Sequence, residues 1–131
     1  RSPEEQVPVI IVIGVIGLFD MDMRNKRTEI GYWLGKKYWG MGIASEAVSL
    51  VVDYCFKTIK LHRVYAHVFT GNTASERLLL RMGFQYEGME RESRRCRGRY
   101  KDSHLYAVLA GEFRMARNSA ISSHSGSRAK K

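Results

Sequence analysis

The sequence predicts an α/β fold (α+β in some schemes) carried on a partly parallel sheet. Three observations predict it. Residues 9–19 and 28–35 are short runs rich in Val, Ile and aromatic residues, as strands are. After the second run, Ala44, Ala47, Val48, Val51, Val52, Cys55, Phe56 and Ile59 repeat at the three–four spacing of one buried helix face. Residues 62–69 then alternate, with Val64, Ala66 and Val68 on one side and Tyr65, His67 and Phe69 on the other. Strand, helix, strand in this order implies a right-handed crossover between parallel strands.

The elements follow in order. Residues 1–8 hold both prolines and read as irregular. In the strand at 9–19, Gly14 and Gly17 mark a bulge or a close backbone approach. Residues 20–27 read as a hairpin loop, and in the strand at 28–35 Ile30, Tyr32 and Leu34 share a face. A loop at 36–41 leads into the helix. A short helix opens at 71–74, where Thr73 and Glu76 have capping-box spacing, and ends at Gly83. Strands at 84–91 and 104–110 are expected on either side of an Arg-rich loop, 92–102. The domain is therefore set at 9–113, followed by a basic disordered tail, 114–131.

Composition narrows the class. A chain of 131 residues with 44% hydrophobic and 27% charged residues suits one globular domain. The apolar run Val9 to Phe19 is shorter than the roughly 20 residues a bilayer requires, and the acidic Glu4-Glu5 before it argues against a secretory signal. No membrane association is expected. Cys55 and Cys96 have no zinc-type spacing, so no metal site is expected, and two thiols without a framework suit a reducing, cytoplasmic setting. The net charge of +9 is concentrated between Arg91 and Lys101 and after Phe113, which favours an anionic partner.

The most informative local feature is the run Trp39-Gly40-Met41-Gly42-Ile43-Ala44-Ser45, between a strand and the amphipathic helix. A loop entering a helix there exposes unpaired N–H groups at the positive end of the helix dipole. Gly40 and Gly42 allow an anion to approach the backbone, and Ala44 and Ser45 keep the first turn clear. This is a cradle for a diphosphate. It is neither a GxGxxG fingerprint nor a Walker A loop, and GxG alone also suits a plain connecting turn.

Its context resembles the GNAT superfamily of N-acetyltransferases, and most of all the branch that acetylates the N-termini of ribosomal proteins. The resemblance is carried by Glu29-Ile30-Gly31-Tyr32-Trp33-Leu34 with Tyr38 to Ala47, then by Asn72-Thr73-Ala74-Ser75 with Met82-Gly83-Phe84. Glu87-Gly88, Arg91 and Gly98 to Asp102 complete it, in the family's order, across roughly residues 9–112.

The resemblance implies a mixed, partly parallel sheet flanked by helices, with the strand and two helices that usually open the family fold missing ahead of residue 9. It implies an acyltransferase that moves acetyl from acetyl-CoA to a primary amine, a protein N-terminus or a small molecule. Trp39, Gly40, Met41, Gly42, Ile43, Ala44 and Ser45 would bind the CoA diphosphate, and the strand through Trp33 and Leu34 the pantetheine arm. Asn72 and Ser75 would lie beside pantetheine and thiol, and Arg81 at the phosphorylated adenosine end. Many members carry a tyrosine as general acid where Leu79 stands, which leaves Ser75, or a water held by Asn72, for that role here, with Glu29 as proton acceptor.

Plainer readings stand beside these. Asn72 suits a helix start, Ser75 a first turn, and Glu29 a solvent-facing strand position. Tyr32 and Trp33 suit either an acyl pocket or the core, and His62, His67 and His104 suit packing and surface. Two alternatives to the enzyme remain open. One is a ribosome- or RNA-binding module using the basic loop 91–101 and the tail. The other is an inactive, truncated member that binds acetyl-CoA only.

Overall fold

The computed structural model describes residues 10–115 of the chain. The element order is β1 (Gly14–Asp22), β2 (Arg27–Leu34), a single 3₁₀ turn at Lys36–Tyr38, α1 (Ile43–Lys57), β3 (Arg63–Phe69), α2 (Thr73–Arg81), β4 (Gln85–Cys96) and β5 (Arg99–Leu109). The five strands form one mixed sheet in the order β1-β2-β3-β5-β4. Only β2 and β3 run parallel, as a crossover through α1 requires.

One face of the sheet carries the core. Ile30 of β2, Val64, Ala66 and Val68 of β3, and Tyr106 and Val108 of β5 are buried against Val48, Val52 and Cys55 of α1 and Leu78, Leu79 and Met82 of α2. The alternation read from residues 62–69 therefore holds, and the odd-numbered side chains of β2 and β3 point to the other face. Burial pushes the Cys55 thiol up to about 11, so it behaves as an apolar filler. Among the described residues no buried side-chain nitrogen or oxygen lacks a hydrogen-bond partner.

Several expectations are corrected. The first strand begins at Gly14 rather than residue 9 and runs on to Asp22, because the turn that closes the hairpin is only Met23 to Lys26. Asp22 caps that turn, its carboxylate accepting from the Arg24 and Asn25 N–H groups at 3.1 and 3.0 Å. Gly14 does mark a close approach, since a Cβ there would meet the Trp33 carbonyl at 2.5 Å. The N-cap of α2 is Asn72, one residue before the expected Thr73, and its side chain accepts from the Ser75 N–H at 3.2 Å.

The largest correction concerns residues 92–102. They form no loop: β4 and β5 continue as a two-stranded ribbon to a turn at Arg97-Gly98, both in left-handed conformation (φ 53° and 76°). Such a turn matches the twist of a hairpin. Arg94, Arg95 and Cys96 pair with Lys101, Tyr100 and Arg99.

Beyond β5 the chain folds back onto α2, with the Arg114 N–H donating to the Met82 carbonyl at 2.9 Å. Gly83 permits this, having φ +96° and a would-be Cβ only 2.3 Å from the Glu112 carbonyl oxygen. The irregular segment expected at 1–8, and the expected tail from residue 116 on, lie outside the described residues. Among those described, no helix is long and apolar enough to cross a membrane.

Candidate active site

The loop between β2 and α1 builds the anion cradle. The Trp39 indole N–H donates to the Leu34 carbonyl at 2.8 Å, which pins the loop to the end of β2. Gly40 and Gly42 then take φ values of 81° and 78°, conformations that favour glycine. Gly42 is the N-cap of α1 and has no side chain to cap with. The helix's first internal bond runs from the Glu46 N–H to the Gly42 carbonyl, at 3.0 Å. Among the described residues, none of the N–H groups of Gly40, Met41, Gly42, Ile43, Ala44 and Ser45 donates to a protein acceptor. Among the described residues, no atom lies within 4 Å of a Cβ built on Gly40 or Gly42, so the space beside both is open. Arg81, at the end of α2, donates to Ser45 Oγ at 3.0 Å, and this brings its guanidinium to the first turn of α1.

Beside the cradle the sheet splits. Strands β2 and β3 pair only from Arg27↔Arg63 to Glu29↔Tyr65, after which they part. On its other edge β2 stays paired with β1 as far as Leu34. The Gly35 N–H donates to the Ile13 carbonyl, and antiparallel ladders bond at alternate residues. The peptide groups of Gly31 and Trp33 therefore face β1, while those of Tyr32 and Leu34 face the gap. The Leu34 N–H thus faces the gap, while the peptide groups of Trp33 face β1 and its side chain, 60% exposed, lies on the face opposite the helices.

Two hydroxyls bound the gap. Tyr32 Oη and Ser75 Oγ share a short hydrogen bond across 43 positions of sequence. Burial raises the Tyr32 phenol above its ordinary 10.0, against a smaller opposing pull from Ser75, so it is a neutral O–H at pH 7. Leu79, fully buried, offers no proton donor. Asn72 serves as a cap, which fixes the backbone of Ser75.

On the helix-free face, where the strands part, lies a pocket of about 440 Å³ lined by Phe19, Asp20, Glu29, Ile30, Gly31, His67, Phe69 and Arg94. Glu29 Oε2 is 2.7 Å from His67 Nδ1 and 3.3 Å from Arg94 Nη2. His67 Nε2 is 3.2 Å from Glu90 Oε1. Of the site residues expected from sequence, Glu29 lies in this pocket; around it stand His67, expected to serve packing and surface, Arg94, expected in the basic loop, and Glu90, which the sequence did not single out. Alternation shows which face a strand residue occupies and nothing of what stands across from it.

A sheet that splays beside an uncapped, glycine-opened helix mouth is the geometry of an anion-binding α/β domain. Comparison with known proteins gives its family. Residues 3–85 match the family described as the acetyltransferase (GNAT) domain. An uncharacterized N-acetyltransferase, p20 of Bacillus licheniformis, is 42% identical over 102 residues, covering 78% of this chain and 57% of p20. The ribosomal-protein-serine acetyltransferase of Escherichia coli is 33% identical over 98 residues, covering 75% and 55%. Among solved structures, a probable acetyltransferase superposes with a TM-score of 0.75 at 33% identity, over 78% of this chain and 57% of that one. A mutant of the Vibrio cholerae spermidine N-acetyltransferase SpeG gives 0.70 at 27% identity, over 76% and 59%. This chain belongs to the GNAT acetyltransferase family, and it spans just over half the length of these curated relatives.

Proposed function

We propose that the chain binds acetyl-CoA and transfers its acetyl group to a primary amine. The observation that carries this reading is the row of six unbonded N–H groups from Gly40 to Ser45, opened by two left-handed glycines. A diphosphate fits such a row better than any uncharged group, because the amides and the helix dipole act together. Bound acetyl-CoA supplies an acetyl group activated as a thioester.

The rest is done by the chain. Residues 39–45 hold the diphosphate, and Arg81 adds charge for the phosphorylated adenosine end. The N–H groups of Tyr32 and Leu34 line the gap, where one of them stabilises charge developing on the thioester oxygen. Glu29 takes the proton of an ammonium lodged in the pocket. Ser75, coupled to the neutral Tyr32 hydroxyl, holds a proton for the departing sulfur. Holding both reactants at one gap supplies much of the rate gain.

The related enzymes act, by name, on ribosomal proteins and on spermidine, which supports an amine acceptor of either kind. Two free thiols, Cys55 and Cys96, support a cytoplasmic setting. The exposed ribbon with Arg91, Arg94, Arg95, Arg97, Arg99 and Lys101 supports a second role, contact with ribosomal or other RNA. That binding would weaken steeply with salt.

Calorimetric titration with acetyl-CoA tests the cofactor claim. Saturable binding that Gly42→Glu abolishes is expected, together with a rise in Tm on binding. No heat with the unaltered chain, or equal heat with the variant, would overturn the reading.

A further inference from the structure

Both contacts to Glu29 fall on one of its oxygens. His67 Nδ1 and Arg94 Nη2 lie 2.7 and 3.3 Å from Oε2, while Oε1 has no partner among the described residues. Arg94 Nη2 is also 3.0 Å from His67 Nδ1, and the two contacts to Nδ1 compete. A guanidinium only donates, so its contact is a hydrogen bond only if Nδ1 is bare. A carboxylate only accepts, so the 2.7 Å contact needs a hydrogen on Nδ1. The shorter, charge-assisted contact decides: Nδ1 donates to Glu29, and Arg94 donates to the same Oε2.

The far end of the ring faces a second carboxylate. A register shift in β4 between Tyr86 and Gly88 sets Glu90 opposite Ser103, which itself pairs with Phe69. This turns the Glu90 side chain to the helix-free face, where its Oε1 reaches His67 Nε2 at 3.2 Å. Tyr65 packs edge-on against the imidazole, with ring centroids 6.0 Å apart and planes at 88°. Side chains of His67 and Glu29 are only 16% and 14% exposed.

We infer that His67 is a positioning residue for acetyl transfer: it grips Glu29 through Oε2 and so presents Oε1 to the amine in the pocket. The inference rests on the acetyl-transfer reading above. A glutamate on a strand is otherwise free to rotate about its last bond, and a displacement near 1 Å at a reacting group costs on the order of 100-fold in rate.

Two amide replacements separate the two ring nitrogens. The side-chain nitrogen of asparagine falls near Nδ1, that of glutamine near Nε2. His67→Asn keeps the grip on Glu29, and a kcat well above that of His67→Gln is expected. His67→Gln puts its nitrogen at the Nε2 end, away from Glu29, and a fall in kcat of about 100-fold is expected, with acetyl-CoA affinity unchanged by calorimetry in both. Nitrogen-15 NMR of the His67 ring in the full chain is an independent readout. A hydrogen on Nδ1 is expected, with the Nδ1 signal moved by Glu29→Gln. Equal losses in the Asn and Gln variants, or a bare Nδ1 in the spectrum, would sink the proposal. A chain that binds acetyl-CoA yet releases no thiol with any amine would count against the transfer reading instead, and the ring spectrum then decides the grip by itself.

Discussion

The two ends of the site are built from different material. The cradle at Gly40 to Ser45 is backbone: six N–H groups, two glycines and one helix mouth, all within six consecutive residues. The pocket is side chain, with Phe19 from β1, Glu29 from β2, His67 and Phe69 from β3, and Arg94 and Glu90 from β4. The first tolerates many side chains so long as two positions stay glycine. The second depends on the sheet order to bring together groups as far apart as Glu29 and Arg94. Grip on the cofactor and chemistry on the acceptor should therefore separate under mutation.

The largest expected effect tests that separation directly. Glu29→Gln removes the proton acceptor, and a fall in kcat of about 10²- to 10⁴-fold is expected, with the Kd for acetyl-CoA unchanged by calorimetry. A matching loss of acetyl-CoA affinity would mean that the two ends are coupled. Gly42→Glu attacks the other end. It places a carboxylate at an anion site and a side chain at φ +78°, so affinity should drop at least about tenfold. Gly42→Ala carries the same backbone strain, about 1 kcal/mol, without the charge, and comparing the two isolates the electrostatic part. Arg81→Ala should weaken binding by a few-fold, more at low salt than at high, because the guanidinium is exposed and screened.

The smallest effect lies away from both ends. Arg63 hydrogen-bonds Glu87 in a two-pronged pair at 3.0 and 2.7 Å, which lowers the Glu87 carboxyl below its ordinary 4.5. A depressed carboxylate adds stability above its unfolded value and loses it as pH falls through the folded one. Denaturant unfolding of Glu87→Gln should therefore differ from the unaltered chain at pH 7, and the difference should shrink below about pH 4.5. A difference that grows on acidification would refute the sign.

This contrast also explains what was legible in the sequence. The cradle and α1 were readable because local rules govern them: a three–four apolar repeat, and glycines just ahead of it. The sheet face was readable because Val64, Ala66 and Val68 alternate. The ribbon was misread as a loop because its residues bury almost nothing on either side, so periodicity carries no signal there. Only the Arg97-Gly98 turn hinted at it. The contacts Tyr32–Ser75 and His67–Glu29 join residues 43 and 38 positions apart. No local pattern encodes such a meeting. It follows from strands that splay and from a crossover that returns the chain beside its starting edge.

Gly83 touches no part of either end, yet it bears on one of them. The last turn of the described chain lies so tightly over it that even a methyl group would collide with the Glu112 carbonyl. Any larger residue must lever the exit of α2 outward, and Arg81, two positions upstream, would swing away from Ser45. Weakened cofactor retention would then arise from crowding at a distant seam, in a variant whose own position no ligand ever meets.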